Sequence, residues 1–208
     1  MTILNKKIII IDSNFCNTGS VYRAIKKIGY EPIITKNAKY FSSASHIILP
    51  GVGSFDYGMQ NLQENELGEQ IRYASTQKGI PLLGICLGMH LLGKIGFENG
   101  KTKGLDLIPG TVKKLNLNKK YRIPHMGWNE VLFKSDNKIF NGIINKKDFY
   151  FIHSYYFEPD DAKHIIGVTV YEKKFASVIN KENIYGVQFH PEKSLKSGIK
   201  ILENFLKL

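Results

Sequence analysis

Residues 7–12 read KIIIID, four consecutive isoleucines closed by an aspartate. So short an unbroken β-branched run suits a strand buried on both faces, as in a parallel sheet covered by helices. Residues 20–29 then take a helical period, with Val21, Ala24, Ile25 and Ile28 on one face. Ser20 or Thr18 could cap that helix and Gly29 could end it. Further strands are expected at 31–35, 46–49 and 81–85, with a long polar helical stretch from about Phe55 to Gln77. Strands alternating with helices predict an α/β fold, an open and mostly parallel sheet flanked by helices. After residue 100 the pattern changes to short β runs near 111–117, 129–133, 148–152, 164–170, 175–180 and 184–189, separated by turns. These read as antiparallel strands added to the sheet in the C-terminal half. A final helix is expected over 194–208, where Leu195, Ile199, Leu202 and Leu206 share a face. The 208 residues show no internal repeat or linker, so one domain over 1–208 is expected.

Several function classes recede at this level. The net charge of +11 could suit an anionic partner. Yet only Arg23, Arg72 and Arg122 among the 29 basic residues are arginines, and the lysines are scattered without interleaved aromatics. A solvated lysine surface is the better reading, and no nucleic-acid partner is expected. The longest apolar stretch, 80–92, is interrupted by glycines and His90 and is too short to span a membrane. The N-terminal apolar run stops at Asp12, too soon for a signal-peptide core, so a cytoplasmic protein is expected. Two cysteines, Cys16 and Cys86, and six histidines without ligand spacing point to neither a disulfide nor a metal; no cofactor is expected.

The chemistry concentrates at Gly84-Ile85-Cys86-Leu87-Gly88, after one expected strand and before an apolar helical stretch. A residue between a strand end and a helix start sits on a tight, strained turn. Glycines two before and two after it let the backbone pass closely, as in the serine nucleophile elbow. An ordinary cysteine is only about 3% thiolate at pH 7. A helix start favours the thiolate through its partial positive charge and offers the Leu87 amide as an oxyanion donor. A buried structural cysteine would explain the leucines nearby but not the paired glycines.

A nucleophilic cysteine needs a base, and the base needs a group to hold it. The run 184–189 leads into His190-Pro191-Glu192. Two residues apart, the carboxylate could accept from one imidazole nitrogen, fixing the tautomer and stabilising the imidazolium. A plain loop histidine followed by a helix-capping Glu192 is the simpler alternative. Leu49-Pro50-Gly51-Val52-Gly53 ends another strand, at the sheet edge where open α/β folds place ligands. Its glycines would let a backbone amide approach a substrate.

In order along the chain, PGVGSF, GICLGMHLL and GVQFHPEKS resemble the class I, or triad-type, glutamine amidotransferases. Within that class, IPHMGWN at 123–129, FIHSYY at 151–156 and GLDLIPG at 104–110 resemble the glutaminase subunit of imidazole glycerol phosphate synthase. The similarity covers nearly the whole chain. It implies Cys86 as nucleophile, His190 as base and acid, Glu192 as orienter, and amides of Val52 and Leu87 as the oxyanion hole. It implies Gly51, Gly53, His90, Glu98, Ser154 and Tyr155 around the glutamine, with Glu98 on the α-amino group and the Ser154–Tyr155 backbone on the carboxylate. Asn17, Pro124, Met126 and Trp128 would face a partner, although core packing would serve Met126 and Trp128 equally. That partner would be an ammonia-accepting synthase subunit, a (β/α)₈ barrel cyclase in histidine biosynthesis, forming a heterodimer.

Two positions depart from the resembled pattern. His90 stands where the family usually has a glutamine that helps bind the substrate amide, one helical turn after Cys86. This substitution predicts weaker glutamine binding or a perturbed thiolate, with simple packing of His90 as the alternative. After Asp12 the chain reads Ser13-Asn14-Phe15-Cys16-Asn17, where only Asn17 matches the family's loop. The alternative is therefore a paralogous glutaminase that supplies a sugar amidotransferase in bacterial surface-glycan synthesis. A non-catalytic regulatory subunit is a third reading, against which the intact Cys86, His190 and Glu192 count.

Overall fold

The computed structural model describes residues 6–12 and 17–208. Among these residues the chain runs β1 (Ile8–Ile11), α1 (Thr18–Ile28), β2 (Ile33–Thr35), β3 (His46–Gly51), α2 (Phe55–Glu64), α3 (Leu67–Arg72), β4 (Leu82–Cys86) and α4 (Leu87–Leu91). It continues through β5 (Ile95–Gly96), β6 (Thr102–Lys103), β7 (Gly110–Lys114), β8 (His125–Phe133), β9 (Lys147–His153) and β10 (Tyr155–Pro159). β11 (Ile165–Tyr171), β12 (Lys173–Lys181), β13 (Ile184–Val187) and α5 (Leu195–Phe205) complete it.

The isoleucine run behaves as its pattern demands. All four residues of β1 are fully buried, and they alternate between two apolar layers. Ile8 and Ile10 join the layer holding Val21, Ala24 and Ile25 of α1 and Ile201, Leu202 and Phe205 of α5. Ile9 and Ile11 join the opposite layer with Leu49, Phe55 and Leu87. Each such side chain contributes roughly 1.5–3 kcal/mol by leaving water, which is why the sheet needs helices on both sides. α1 is capped by Asn17, whose Oδ1 accepts from the Ser20 amide at 3.2 Å. The cap is therefore neither Thr18 nor Ser20, both of which lie inside the helix. Gly29 ends it in the left-handed conformation, at φ 99°.

The main sheet has the order β2-β1-β3-β4-β13-β12-β11-β8-β9. Its first five strands pair in parallel, and antiparallel pairing begins at β13–β12. Two expectations change here. The run at 184–189 is not an appended antiparallel strand: β13 lies parallel to β4, with Val187 opposite Ile85. All four of its residues are buried, so it belongs in the sheet interior. The run near 111–117 joins a separate four-stranded sheet, β10-β7-β5-β6. The long stretch over 55–77 is also divided. α2 stops at Asn65, Glu66 adopts φ 54°, and α3 begins anew before a π-helical turn over 73–77. α5 starts at Leu195, because residues 191–193 form a separate 3₁₀ turn. Among the described residues, no helix is long and apolar enough to cross a membrane.

Candidate active site

β3, β4 and β13 are neighbours, and their carboxyl ends open on one side of the sheet. Cys86 ends β4, opposite Gly51 at the end of β3. Its backbone has φ 53° and ψ −110°, outside the regions a side-chain-bearing residue prefers. Such a conformation costs on the order of 1–3 kcal/mol and must be held by its surroundings. The two flanking glycines do so. A Cβ on Gly84 would stand 2.6 Å from the Gly88 carbonyl oxygen, and one on Gly88 would stand 1.8 Å from the Leu49 carbonyl oxygen. The turn can therefore close only with hydrogen at both positions. The helix behind it is short, Leu87–Leu91, so its dipole gives the sulfur limited help.

His190 follows β13 at a comparable depth. Its amide donates to the Tyr150 carbonyl of β9 at 2.9 Å. Its own carbonyl accepts from Ser194 Oγ at 2.6 Å, and Ser194 Oγ accepts from the Tyr150 amide at 2.9 Å. The histidine is thus tied to the sheet through its main chain. Its Nδ1 donates to Glu192 Oε1 at 2.8 Å, with the two side chains only 4% and 2% exposed. That bond assigns the remaining proton site, Nε2, to the pocket, and Nε2 has no hydrogen-bond partner among the described residues. Burial pulls the imidazolium down, but attraction to the Cys86 sulfur and the Glu192 carboxylate outweighs it, and the His190 pKa is raised. Glu192 sits in the 3₁₀ turn before α5 and serves the histidine rather than capping the helix.

Cys86 and His190 share a cavity of about 250 Å³ with Val52, Gly53, Leu87, His90, Glu98, Pro124, Ile152, His153, Ser154 and Tyr155. Small-molecule pockets run from about 300 Å³ upward, so this one suits a ligand of amino-acid size. Gly51 stays just behind the wall, where a Cβ would press on Leu87 at 3.0 Å. The Glu98 carboxylate is anchored by the Phe55 amide at 2.9 Å, at the start of α2. Burial raises its pKa, and the Phe55 amide opposes that. Across the cavity, His153 Nδ1 donates to the Tyr155 carbonyl at 2.8 Å, and its Nε2 accepts from His125 Nδ1 at 2.9 Å. His125 Nε2 in turn accepts from Asn129 Nδ2 at 3.2 Å. Burial holds both histidines neutral, with pKa lowered to about 3 for His153 and about 4 for His125. The chain of donors fixes the backbone beside Ser154 and Tyr155.

His90 reaches the pocket wall, but its Nε2 lies 2.7 Å from Gln188 Oε1 rather than free for a substrate. Gln188, His125, His153 and the Ile152 carbonyl were not singled out by sequence reasoning. Gln188 stood inside the GVQFHPEKS segment, which was a signal. The His125–His153 pairing depends on β8–β9 register, which the sequence does not display. Met126 and Trp128 are 58% and 49% exposed on β8, so core packing does not explain them. Pro124 lines the cavity, and Asn17 is exposed at the start of α1. Residues 13–16, including Cys16, lie outside the described residues. Among the described residues no cluster of three or more His, Cys, Asp or Glu side chains is arranged to hold a metal ion.

The family model for class I glutamine amidotransferases matches residues 9–208. A curated relative in Methanococcus maripaludis, named imidazole glycerol phosphate synthase subunit HisH 2, is 50% identical over 200 residues, 96% of this chain and 98% of the relative. The subunit HisH of Moorella thermoacetica is 44% identical over 203 residues, 98% of this chain and 95% of its own length. Among solved structures, a glutamine amidotransferase superposes with a TM-score of 0.74 at 15% identity, covering 96% of this chain and 97% of that one. PurLQS from Thermotoga maritima superposes at 0.72 and 16% identity, covering 97% and 98%. At those identities the likeness is one of fold.

Proposed function

The chain belongs to the class I glutamine amidotransferases, and from that premise we propose that Cys86 is its nucleophile, His190 its base and acid, and Glu192 the orienter of His190. Its reaction is hydrolysis of glutamine to glutamate and ammonia, in a chain related to subunits of imidazole glycerol phosphate synthase. The observation that carries the assignment is the meeting of the strained Cys86 turn and the His190–Glu192 pair in one small pocket.

The steps follow from the geometry. The Cys86 proton passes to His190 Nε2, the ring nitrogen that Glu192 leaves unengaged. The thiolate attacks the side-chain amide carbon, and negative charge gathers on the amide oxygen. The Val52 and Leu87 amides receive that charge; losing one such donor costs about 2.7–4 kcal/mol. His190 returns its proton to the departing nitrogen, the C–N bond breaks and ammonia leaves. Water then attacks the thioester, His190 takes its proton, and the C–S bond breaks to release glutamate. Glu98 holds the α-amino group, the backbone at Ser154 and Tyr155 holds the carboxylate, and Gly51 and Gly53 let the loop approach. His90 closes the wall beneath the amide.

Ammonia passes to a partner synthase, the cyclase subunit in histidine biosynthesis, of (β/α)₈ barrel form, in the cytoplasm. Exposed Met126 and Trp128 beside the pocket-lining Pro124 support that face as the docking side, with Asn17 beyond it. The single glutaminase unit is taken to span 1–208. The test is Cys86→Ser, assayed for glutamate release with the cyclase present. Loss of activity by at least a thousandfold with an unchanged melting temperature is expected; retained turnover would remove Cys86 from the mechanism.

A further inference from the structure

Gln188 sits between Val187 and Phe189 at the end of β13, and all three are fully buried. A primary amide in such surroundings is costly unless its oxygen and nitrogen both find partners. Both do. Its Oε1 is 2.7 Å from His90 Nε2, and its Nε2 is 3.9 Å from Cys86 Sγ. An amide oxygen has no proton to give, so His90 Nε2–H is the donor in the first contact. With the oxygen held by His90, the amide N–H group is turned toward the sulfur. A second contact reaches Sγ: the Ile152 carbonyl at 3.8 Å, which only a protonated thiol can use.

We propose that Gln188, steered by His90, is the hydrogen-bond donor that favours the thiolate form of Cys86 and aims its sulfur into the pocket. This rests on Cys86 being the nucleophile, as above. The sulfur has within reach both an acceptor that suits the thiol and a donor that suits the thiolate. Weighting the pair toward the donor is a role the short α4 helix cannot fill by its dipole alone. His90 is then a positioning residue, acting on the sulfur through Gln188 and committed to the nucleophile rather than to the substrate amide.

The titratable groups around Sγ are His190 with Glu192 behind it, His90 on the same helical turn, and His153 and Glu98 across the pocket. Gln188→Met leaves all of them in place and keeps the volume of the side chain. The probe is iodoacetamide, with alkylation followed on the Cys86 peptide by mass spectrometry between pH 5 and 10. In Gln188→Met we expect alkylation at pH 7 slowed roughly tenfold, the scale of one hydrogen bond to a charged group, and a pH profile displaced upward by about one unit. His90→Leu should displace the profile in the same direction by a smaller amount. His90→Gln should restore it, because its amide N–H can replace the imidazole N–H at Gln188 Oε1. A Gln188→Met profile that superimposes on the wild type, or slows evenly at every pH, would overturn the proposal. Equal displacement in His90→Leu and His90→Gln would overturn the steering role. Failure of Cys86→Ser to abolish turnover would instead overturn the underlying assignment, so the two failures read differently.

Discussion

Glu192→Gln removes one charge and leaves a side chain of nearly the same shape. The carboxylate lies 2.8 Å from His190 Nδ1, and neither side chain is more than 4% exposed. It matters most when His190 carries the proton taken from Cys86, because the imidazolium then faces a full opposite charge. Two unit charges about 4 Å apart attract by about 4 kcal/mol at the effective dielectric that suits protein sites. If that attraction operates in the transition state, its loss slows glutamine hydrolysis by about 10³, at 1.36 kcal/mol per tenfold. An amide can also present its N–H group to Nδ1 and favour the wrong tautomer, which works in the same direction. Glutamine binding should change little, because Glu192 does not line the cavity. Steady-state kinetics with the cyclase subunit and saturating acceptor would therefore show kcat down by about a thousandfold and KM within about threefold of wild type. A loss of kcat below tenfold, or a loss carried by KM, would refute the assignment of Glu192 as orienter of the base.

Three further outcomes are expected. Gly88→Ala places a methyl group 1.8 Å from the Leu49 carbonyl, so the turn must open; glutaminase activity should be lost and the melting temperature should fall, and a wild-type melt with full activity would contradict the packing argument. Glu98→Gln should raise the KM for glutamine by roughly ten- to a hundredfold with kcat nearly retained, since one charge-assisted contact to the α-amino group is weakened; an unchanged KM would move the α-amino site elsewhere. His46, His90, His125 and His153 are held neutral by burial, with pKa lowered to about 4 for the first three and about 3 for His153. The unfolded chain therefore binds about four more protons than the native chain between roughly pH 6 and pH 4, and stability should fall on acidification by up to about 5.4 kcal/mol per pH unit in that window. His190, with its raised pKa, is protonated in both states there and adds no slope. Urea midpoints measured from pH 7 to pH 4.5 would check this, and a flat profile would contradict it.

Where a feature depends on local chemistry, the chain displays it openly. The isoleucine run of β1 and the glycines around Cys86 are legible because burial on two faces and a backbone approach below 3 Å each admit few residue types. His190 and Glu192 are legible because a two-residue spacing lets them meet without help from the rest of the fold. The missed features depend on distant partners. Asn65 and Glu66 break a helix although neither is a glycine or a proline. β13 looks like its antiparallel neighbours and pairs in parallel with β4 because it fills the gap beside that strand. His90 was read against the substrate, since its true neighbour, Gln188, lies 98 residues away.

The parallel pairing of β4 with β13 has a consequence for how such a protein can change. The proposed nucleophile and base stand at the ends of hydrogen-bonded neighbours, so their separation is metered by the ladder, at roughly 4.8 Å between strands. A slip of one residue would turn a whole side-chain set to the other face and is forbidden by the two buried layers. The chemistry is therefore guarded by the core. The exposed residues of β8 and the start of α1 are under no such guard. On the docking face proposed above, substitutions can retune which synthase receives the ammonia while the hydrolytic machinery stays in calibration, so that the two properties drift independently.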